Sequence, residues 1–210
     1  MASRKQQGFS LLEMMITITF ALIMAGVTFI WMQPLVDQSH VDQGYDTTLM
    51  VLRNTRNLAI TQGHEYVVNF NPGGFPAGTI QVEYQGPTVG AGPAPPLQQV
   101  NTYSLPPDIA FAVQASFPAA APDGFGAGTV AIDFGQQLPG EPLSSLTFMP
   151  DGSAQTGVVG NNGTYNSGIV YISRPLDKTP YHAKAITVWG ATGRIRGWRL
   201  NQNGGQWVQQ

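Results

Sequence analysis

The sequence predicts an α+β protein in which a long amino-terminal helix packs on a mostly antiparallel β-sheet or sandwich. An apolar run of 24 residues near the amino terminus, Phe9 to Met32, leads into an amphipathic stretch. Short β-like runs separated by turn signals fill the rest of the chain. With 25 Gly and 16 Pro among 210 residues, long helices cannot dominate the whole chain, so an all-α bundle is excluded.

Charge and cysteine content exclude several classes of protein. The formal net charge is −2, from 10 Lys and Arg against 12 Asp and Glu, which does not suggest a general nucleic-acid binder. There is no cysteine, and this excludes disulfide scaffolds, thiol catalysis and cysteine-based zinc or iron–sulfur sites. The length suits one domain with an appendage.

The apolar run is long enough to cross a membrane. As a helix it measures about 36 Å, against a hydrocarbon core of about 30 Å. Arg4 and Lys5 precede it, so the positive-inside rule keeps the leader cytoplasmic and places the chain after Gln33 on the other side.

Glu13 is the only charge in the run. A carboxylate costs about 2.5–3.5 kcal/mol at the bilayer centre and therefore needs a partner. A removable secretory signal has no need of such a residue, and its apolar region is shorter, with small residues at its end. Here the best small residue, Gly8, comes before the run. A plain signal anchor remains an alternative, but it leaves Glu13 unexplained.

The stretch KQQGFSLLEMMITITF resembles the prepilin cleavage motif of type IV pilins and type II secretion pseudopilins. The resemblance implies that a membrane peptidase cuts after Gly8, that the new amine of Phe9 is methylated, and that the apolar helix serves as membrane anchor and filament core. Cleavage creates a cation at Phe9, four residues before Glu13. The amine of a neighbouring subunit can then neutralise the Glu13 carboxylate in a low-dielectric core.

The amphipathic stretch predicts that the helix continues to Gly63. Val41, Tyr45, Leu49 and Leu52 follow three- and four-residue spacings, and Ala59 and Ile60 resume the same face. Pro34 is expected to kink the helix, and Gly63 is a typical stop. A separate short helix after Pro34 is the alternative. The expected domains are a leader (1–8), a transmembrane and assembly helix (9–33), its amphipathic continuation (34–63) and a β-rich globular domain (64–210).

Eight β-like runs follow the helix, with PDG, NPGG and NNG turn signals between them. They are 64–70, 79–85, 109–114, 129–134, 145–149, 168–173, 183–190 and 193–200. Segments 86–96 and 117–128 are predicted to be surface loops that add nothing to a core, because they are poor in branched apolar residues.

The carboxyl half resembles the branch of the family that contains the minor pseudopilin GspH and the minor pilins FimT and FimU. The resemblance rests on LTFMPDGSAQTG, GIVYISRP and AKAITVWGATGRIRGWRL. In that branch a strand enters a PDG-type turn, another strand follows, and a hairpin ends in a GRxR-like stretch. Residues 71–128 lie outside the resemblance.

No pattern in the sequence predicts catalysis, a cofactor or a metal site. His40, His64 and His182 are far apart and lack metal-ligand spacing. GxSxG and P-loop motifs are absent. GFGAG at 124–128 is a glycine-rich loop without the final glycine and following helix that phosphate binding requires.

The carboxyl-terminal hairpin concentrates basic residues. On a strand, Arg194 and Arg196 share a face about 6.6 Å apart, with Trp198 next on that face. In FimT-like competence pilins a GRxR stretch is implicated in DNA capture, so the resemblance implies DNA contact by Arg194, Arg196, Trp198 and Arg199. The alternative is a solvated face, or pairing with acidic groups of adjacent subunits.

Together these features predict a non-enzymatic minor pilin or pseudopilin. Its expected partners are other pilin subunits and the prepilin peptidase, and its expected location is the inner membrane, with the globular domain on the periplasmic side, before entry into a pilus or pseudopilus. The alternative function is that of a FimT-like DNA-binding minor pilin in natural transformation.

Overall fold

The computed structural model describes residues 10–71, 78–86, 96–115, 117–126, 128–136, 142–156, 163–177, 182–201 and 205–210. These residues form one long helix and ten strands in two five-stranded sheets, and every strand pairing is antiparallel. The predicted α+β class is confirmed. The chain divides into two compact units, residues 1–39 and 40–210.

The helix α1 runs from Leu11 to Gln62. Within the first unit its apolar side chains from Leu11 to Phe29 are exposed, Leu11 at 79% and Phe29 at 71%. The segment Leu11–Phe29 has a mean hydropathy of 2.0, none of it is buried, and it is long and apolar enough to cross a membrane. Its hydroxyls are satisfied locally, since those of Thr19 and Thr28 donate to the carbonyl oxygens four residues earlier, at 2.8 Å each.

The structure has one helix across position 34, and not the two of the alternative prediction. The helix ends where predicted: Gly63 follows it in the left-handed region at φ 69°, and its N–H donates to the Ala59 carbonyl at 3.0 Å. The buried face includes Val41, Tyr45, Leu52 and Ala59, as expected. Ile60 was assigned to that face wrongly, because it is 44% exposed.

The ten strands lie in the second unit. They are β1 (Glu65–Asn71), β2 (Thr79–Gln85), β3 (Gln98–Ser104), β4 (Ile132–Asp133), β5 (Ser145–Phe148), β6 (Ala154–Gln155), β7 (Gly168–Ile172), β8 (Lys184–Trp189), β9 (Arg194–Leu200) and β10 (Trp207–Gln209). The first sheet has the order β3-β2-β1-β5-β6, and the second has the order β10-β9-β8-β7-β4. Strand β7 is buried on both faces, which matches its continuous apolar sequence GIVYI.

The predicted strands differ from the observed ones in the middle of the chain. Run 109–114 contributes only the isolated bridge between Ala110 and Ser173, and run 129–134 only the two residues of β4. Strands β3, β6 and β10 were not predicted. Strand β3, QQVNTYS, is polar and almost wholly exposed, so it carries no hydrophobic alternation and is defined by its backbone pairing with β2.

The main core lies between the helix and both sheets. Its fully buried members include Leu52 from α1, Val68 and Leu146 from the first sheet, and Val170 and Ile186 from the second. Since all three layers contribute side chains to one cluster, the amphipathic part of α1 is held against the inner faces of both sheets.

A second core covers the opposite face of the second sheet, because alternate residues of β7 and β8 point there. Its buried members are Phe125, Ile169, Tyr171 and Ala185, with Val113, Phe117, Trp198 and Trp207 packed against them. The prediction that 117–128 adds nothing to a core is therefore wrong. This loop has few branched residues, but its two aromatic rings cover the sheet. Most of the other predicted loop, 86–96, lies outside the described residues.

Candidate functional site

The amino-terminal candidate site consists of Gly8, Phe9 and Glu13, and the structure describes only the last of these. Gly8 and Phe9 lie outside the described residues. Glu13 is in the first turn of α1, where its N–H donates to the Ser10 carbonyl at 3.0 Å. Its side chain is exposed, as are the apolar side chains of Leu12 and Met14 around it. Within the described residues Glu13 forms no ion pair, so a carboxylate stands unpaired on an apolar helix.

The basic hairpin joins β8 and β9 through a turn at residues 190–193. The register places Trp189 opposite Arg194, Thr187 opposite Arg196 and Ala185 opposite Trp198. The predicted alternation is present: Arg194, Arg196 and Trp198 share one face, while Ile195 packs against the main core.

Asp123 occupies that face and binds Arg196. Its Oδ1 accepts a hydrogen bond from Arg196 at 2.6 Å, and its Oδ2 accepts from Thr187 at 2.6 Å and Trp189 at 3.2 Å. The Asp123 side chain is only 6% exposed. Its backbone lies at φ 54°, in the left-handed region that Asp tolerates better than most residues. The Arg196 charge is therefore neutralised by the loop that covers the sheet.

The predicted DNA-contact set also includes Trp198 and Arg199, and neither is exposed on the same face as Arg194. Trp198 donates through its indole N–H to the Thr187 hydroxyl at 3.0 Å and packs against the second core. Arg199 is exposed, but by strand alternation it lies on the face opposite Arg194 and Arg196. Of the set, only Arg194 combines exposure with the expected face.

Three of the five basic side chains that the structure describes after Asn161 are paired within the chain: Arg196, Lys184 and Arg174. Lys184 pairs with Asp42 at 2.6 Å and lies 4.5 Å from the centre of the Tyr45 ring. Arg174 lies 3.4 Å from Asp108. The acidic partners come from distant parts of the chain, so no local sequence pattern reveals these pairs.

The Nδ1 atom of His40 lies 2.9 Å from each of the two carboxylate oxygens of the same Asp108. His182 lies 3.3 Å from Asp177, and His64 packs edge-on against Tyr84. In the part of the chain that the structure describes, no group of three or more His, Asp or Glu is placed to hold a metal ion.

A cleft that the sequence did not predict lies between α1 and the β8–β9 turn, with a volume of about 400 Å³. It is lined by Arg53, Arg56, Asn57, Thr192, Gly193, Arg194 and Ile195. Arg56 joins the helix to two turns, donating to the Gly152 carbonyl and to the Thr192 carbonyl at 3.0 Å each. The three-residue spacing of Arg53 and Arg56 on one helix was the available signal, but nothing local indicates which turn they meet.

Gly193 has a structural reason to be glycine. It lies at φ 58°, and a β-carbon added there would stand 1.9 Å from the Gly152 carbonyl oxygen. The turn at Pro150–Gly152 and the turn before β9 therefore pack backbone to backbone, which a larger residue at 193 would prevent. The glycine of the GRxR-like stretch is needed for this contact.

Comparison with known proteins bears on the amino terminus. The profile of the prokaryotic N-terminal methylation motif matches residues 3–29. Neither a curated protein sequence nor a solved structure gave a significant match. The motif indicates a structural subunit that a prepilin peptidase processes and that assembles with other pilin subunits, and together with the exposed apolar helix it fits membrane anchoring. The chain thus carries the amino-terminal methylation motif of type IV pilin-like proteins, which supports its place in the pilin and pseudopilin class.

Proposed function

We propose that this protein is a minor pilin or pseudopilin, a structural subunit of a type II secretion pseudopilus or type IV pilus. The observation that carries the proposal is the position of Glu13, an unpaired carboxylate in the first turn of an exposed apolar helix, inside the matched motif. The peptidase cuts between Gly8 and Phe9, and the amine of Phe9 is methylated.

The exposed apolar surface of α1 must be shielded from water both before and after assembly. Before assembly, lipid covers Leu11–Phe29, and after assembly the helices of neighbouring subunits do so. In either setting an isolated carboxylate is costly. The cationic amine of a neighbouring Phe9 offsets that cost, so Glu13 sets the axial register between subunits.

The proposed division of the chain follows from this mechanism. Residues 1–8 are the leader, 9–33 the transmembrane and assembly helix, 34–63 its continuation, and 64–210 the globular domain. Arg4 and Lys5 keep the leader in the cytoplasm. The globular domain then lies on the periplasmic side of the inner membrane until the subunit enters the filament.

The test is substitution of Glu13 in the full chain, expressed in its own secretion or pilus system. We expect Glu13→Ala to insert and to be cleaved normally but to be lost from sheared filaments, because the amine has no acid to meet. Met15→Ala, on the same exposed helix, is the control. Normal incorporation of Glu13→Ala contradicts the register role, and mass spectrometry showing an intact Met1 terminus contradicts processing.

A second candidate function is DNA capture during natural transformation, in the manner of FimT-like pilins. It is favoured by the exposed Arg194 in the GRxR-like stretch, whereas Arg196 is engaged by Asp123. Few phosphate contacts give weak, salt-sensitive binding. In detergent and at low salt, the full chain is expected to retard a single-stranded oligonucleotide, and Arg194→Ala to bind less than Arg199→Ala. Equal retardation by both variants and the parent eliminates this candidate.

A further inference from the structure

The described basic side chains fall into two groups. They are Arg53, Arg56, Arg174, Lys184, Arg194, Arg196 and Arg199. Three of them are neutralised by the chain's own aspartates: Arg174, Lys184 and Arg196. The other four form no ion pair within the described residues. Three of these four, Arg53, Arg56 and Arg194, line the cleft between α1 and the β8–β9 turn.

The cleft has the chemistry of an oxyanion site. None of the described residues that line it is acidic, and Asn57 and Thr192 add polar groups beside the three arginines. Guanidinium groups match the two oxygens of an anion through paired N–H donors. An anion that binds between the three guanidinium groups reduces the repulsion among them.

Arg56 is held in place for such a role. Its Nε donates to Gly152 and its NH2 group to Thr192, which uses two of the five N–H donors of a guanidinium. The carbonyl groups fix the side chain without neutralising it. Part of the conformational entropy cost of ordering an arginine is therefore met before a ligand arrives.

We propose that this cleft binds the carboxylate of an Asp or Glu side chain from a neighbouring subunit, and so fixes how globular domains dock in the filament. The inference rests on the proposed assembly function and names a partner surface for it. Arg53 and Arg194 are the exposed contacts, and Arg56 is the anchored one.

A protein carboxylate suits the cleft better than a nucleic acid does. Removal of Arg4 and Lys5 with the leader leaves 8 basic against 12 acidic residues, a net charge of −4, which repels a polyanion over distance. Asp151 is exposed and directly precedes Gly152, whose carbonyl binds Arg56. Hydrogen bonds from Ser153 lower the pKa of Asp151, and its charge opposes every anion placed near it. A strand of several phosphates is therefore opposed more strongly than a single carboxylate.

The test places a photoreactive p-benzoyl-phenylalanine at Asn57 of the full chain, in cells that assemble the filament. Irradiation followed by mass spectrometry is expected to cross-link a neighbouring subunit within a few residues of an Asp or Glu. Arg53→Glu combined with Arg194→Glu is expected to lower incorporation about tenfold, as loss of a charge-assisted contact does. Reversing the charge of the cross-linked acid to Arg is expected to restore it.

Arg199→Glu is the matched control, because Arg199 is also exposed and unpaired within the described residues but does not line the cleft. It should leave incorporation unchanged. Arg56 is left intact, since it also holds the two turns together.

Failure of this inference is distinguishable from failure of the proposed function. If the Arg53 and Arg194 double variant is cleaved, inserted and incorporated like the parent, the cleft inference is overturned while the assembly role stands. The inference is also overturned if the double variant loses only oligonucleotide binding, because the cleft is then a nucleic-acid site. If Glu13→Ala is incorporated normally as well, the register role of Glu13 is contradicted too. The assembly role is overturned only if the parent chain is itself absent from sheared filaments.

Discussion

At the scale of single residues, Asp123 shows how one carboxylate can organise a loop. It accepts hydrogen bonds from Thr187, Trp189 and Arg196 while holding a left-handed backbone conformation. These three donors belong to neighbouring strands of the second sheet. The carboxylate therefore connects the loop to the hairpin. It also pairs with Arg196, for which the family resemblance implied DNA contact.

We predict that Asp123→Ala lowers the free energy of unfolding by about 2–4 kcal/mol. The substitution leaves the half-buried guanidinium of Arg196 and the donors of Thr187 and Trp189 without their acceptor. Asp123→Asn should cost less, since Asn keeps an acceptor oxygen and tolerates the left-handed backbone. Asp46→Ala, at an exposed helix position, is the control. The measurement is urea unfolding of the full chain in detergent, followed by tryptophan fluorescence. Equal midpoints for Asp123→Ala and Asp46→Ala would refute the prediction.

Tyr171 is a second residue whose surroundings predict a measurable effect. Its hydroxyl is buried and has no hydrogen-bond partner among the described residues, and burial raises the pKa of Tyr171 from 10.0 to about 12. Below pH 10 the phenol is neutral in both the folded and the unfolded chain. Above pH 10 the unfolded chain ionises first, so the free energy of unfolding falls as the pH rises towards 12.

Tyr171→Phe should therefore leave stability within about 1 kcal/mol of the parent at pH 7, because the lost hydroxyl had no partner. At pH 11 the variant should lose less stability than the parent. Tyr165→Phe, at a largely exposed tyrosine, is the control. Urea midpoints at the two pH values decide the matter, and an alkaline loss as large in Tyr171→Phe as in the parent would count against it.

At the scale of elements, the loop around Asp123 behaves as part of the core. Phe125 is buried and its ring centre lies 4.9 Å from that of Trp189. Phe117 lies 5.5 Å from Tyr171 and 5.4 Å from Trp207. The loop thus supplies the apolar layer that the outer face of the second sheet needs in order to be shielded from water.

We predict that Phe125→Ala lowers the free energy of unfolding by about 3–5 kcal/mol, the usual cost of emptying a buried aromatic position. Val130→Ala, in the same region but exposed, should change it by less than about 0.5 kcal/mol. Thermal unfolding of the full chain in detergent compares the two. Similar melting temperatures would show that the loop is a surface feature after all.

At the scale of the whole molecule, the two compact units differ in whether their apolar side chains are exposed or buried. The described side chains of the first unit, residues 1–39, include many exposed apolar ones, whereas residues 40–210 contain both hydrophobic cores. A unit with its own core should fold without the other.

We accordingly predict that a chain of residues 34–210 is soluble without detergent and unfolds cooperatively in urea, while the full chain requires detergent. Circular dichroism and size-exclusion chromatography check this, with the full chain in detergent as the reference. Aggregation of the shorter chain, or a transition without cooperativity, would mean that the globular unit depends on the first part of the helix.

The sequence by itself determined the amino-terminal helix and its apolar character, because these depend on residues that are adjacent in the chain. The cut after Gly8 stays a prediction. The sequence also predicted the α+β class and the amphipathic face through Val41, Tyr45 and Leu52. Local periodicity is enough for such features. Strand β3 shows the limit, since a polar strand defined by backbone pairing leaves no hydrophobic pattern to detect.

Only the tertiary structure decided which arginines are neutralised. Arg196 meets Asp123 across 73 positions of the chain, and Arg56 meets Gly152 across 96. An ion pair depends on distance in space, so a count of charges along the sequence cannot distinguish a basic surface from a set of internal pairs. The fold engages Arg196 and leaves Arg53, Arg56 and Arg194 at one cleft.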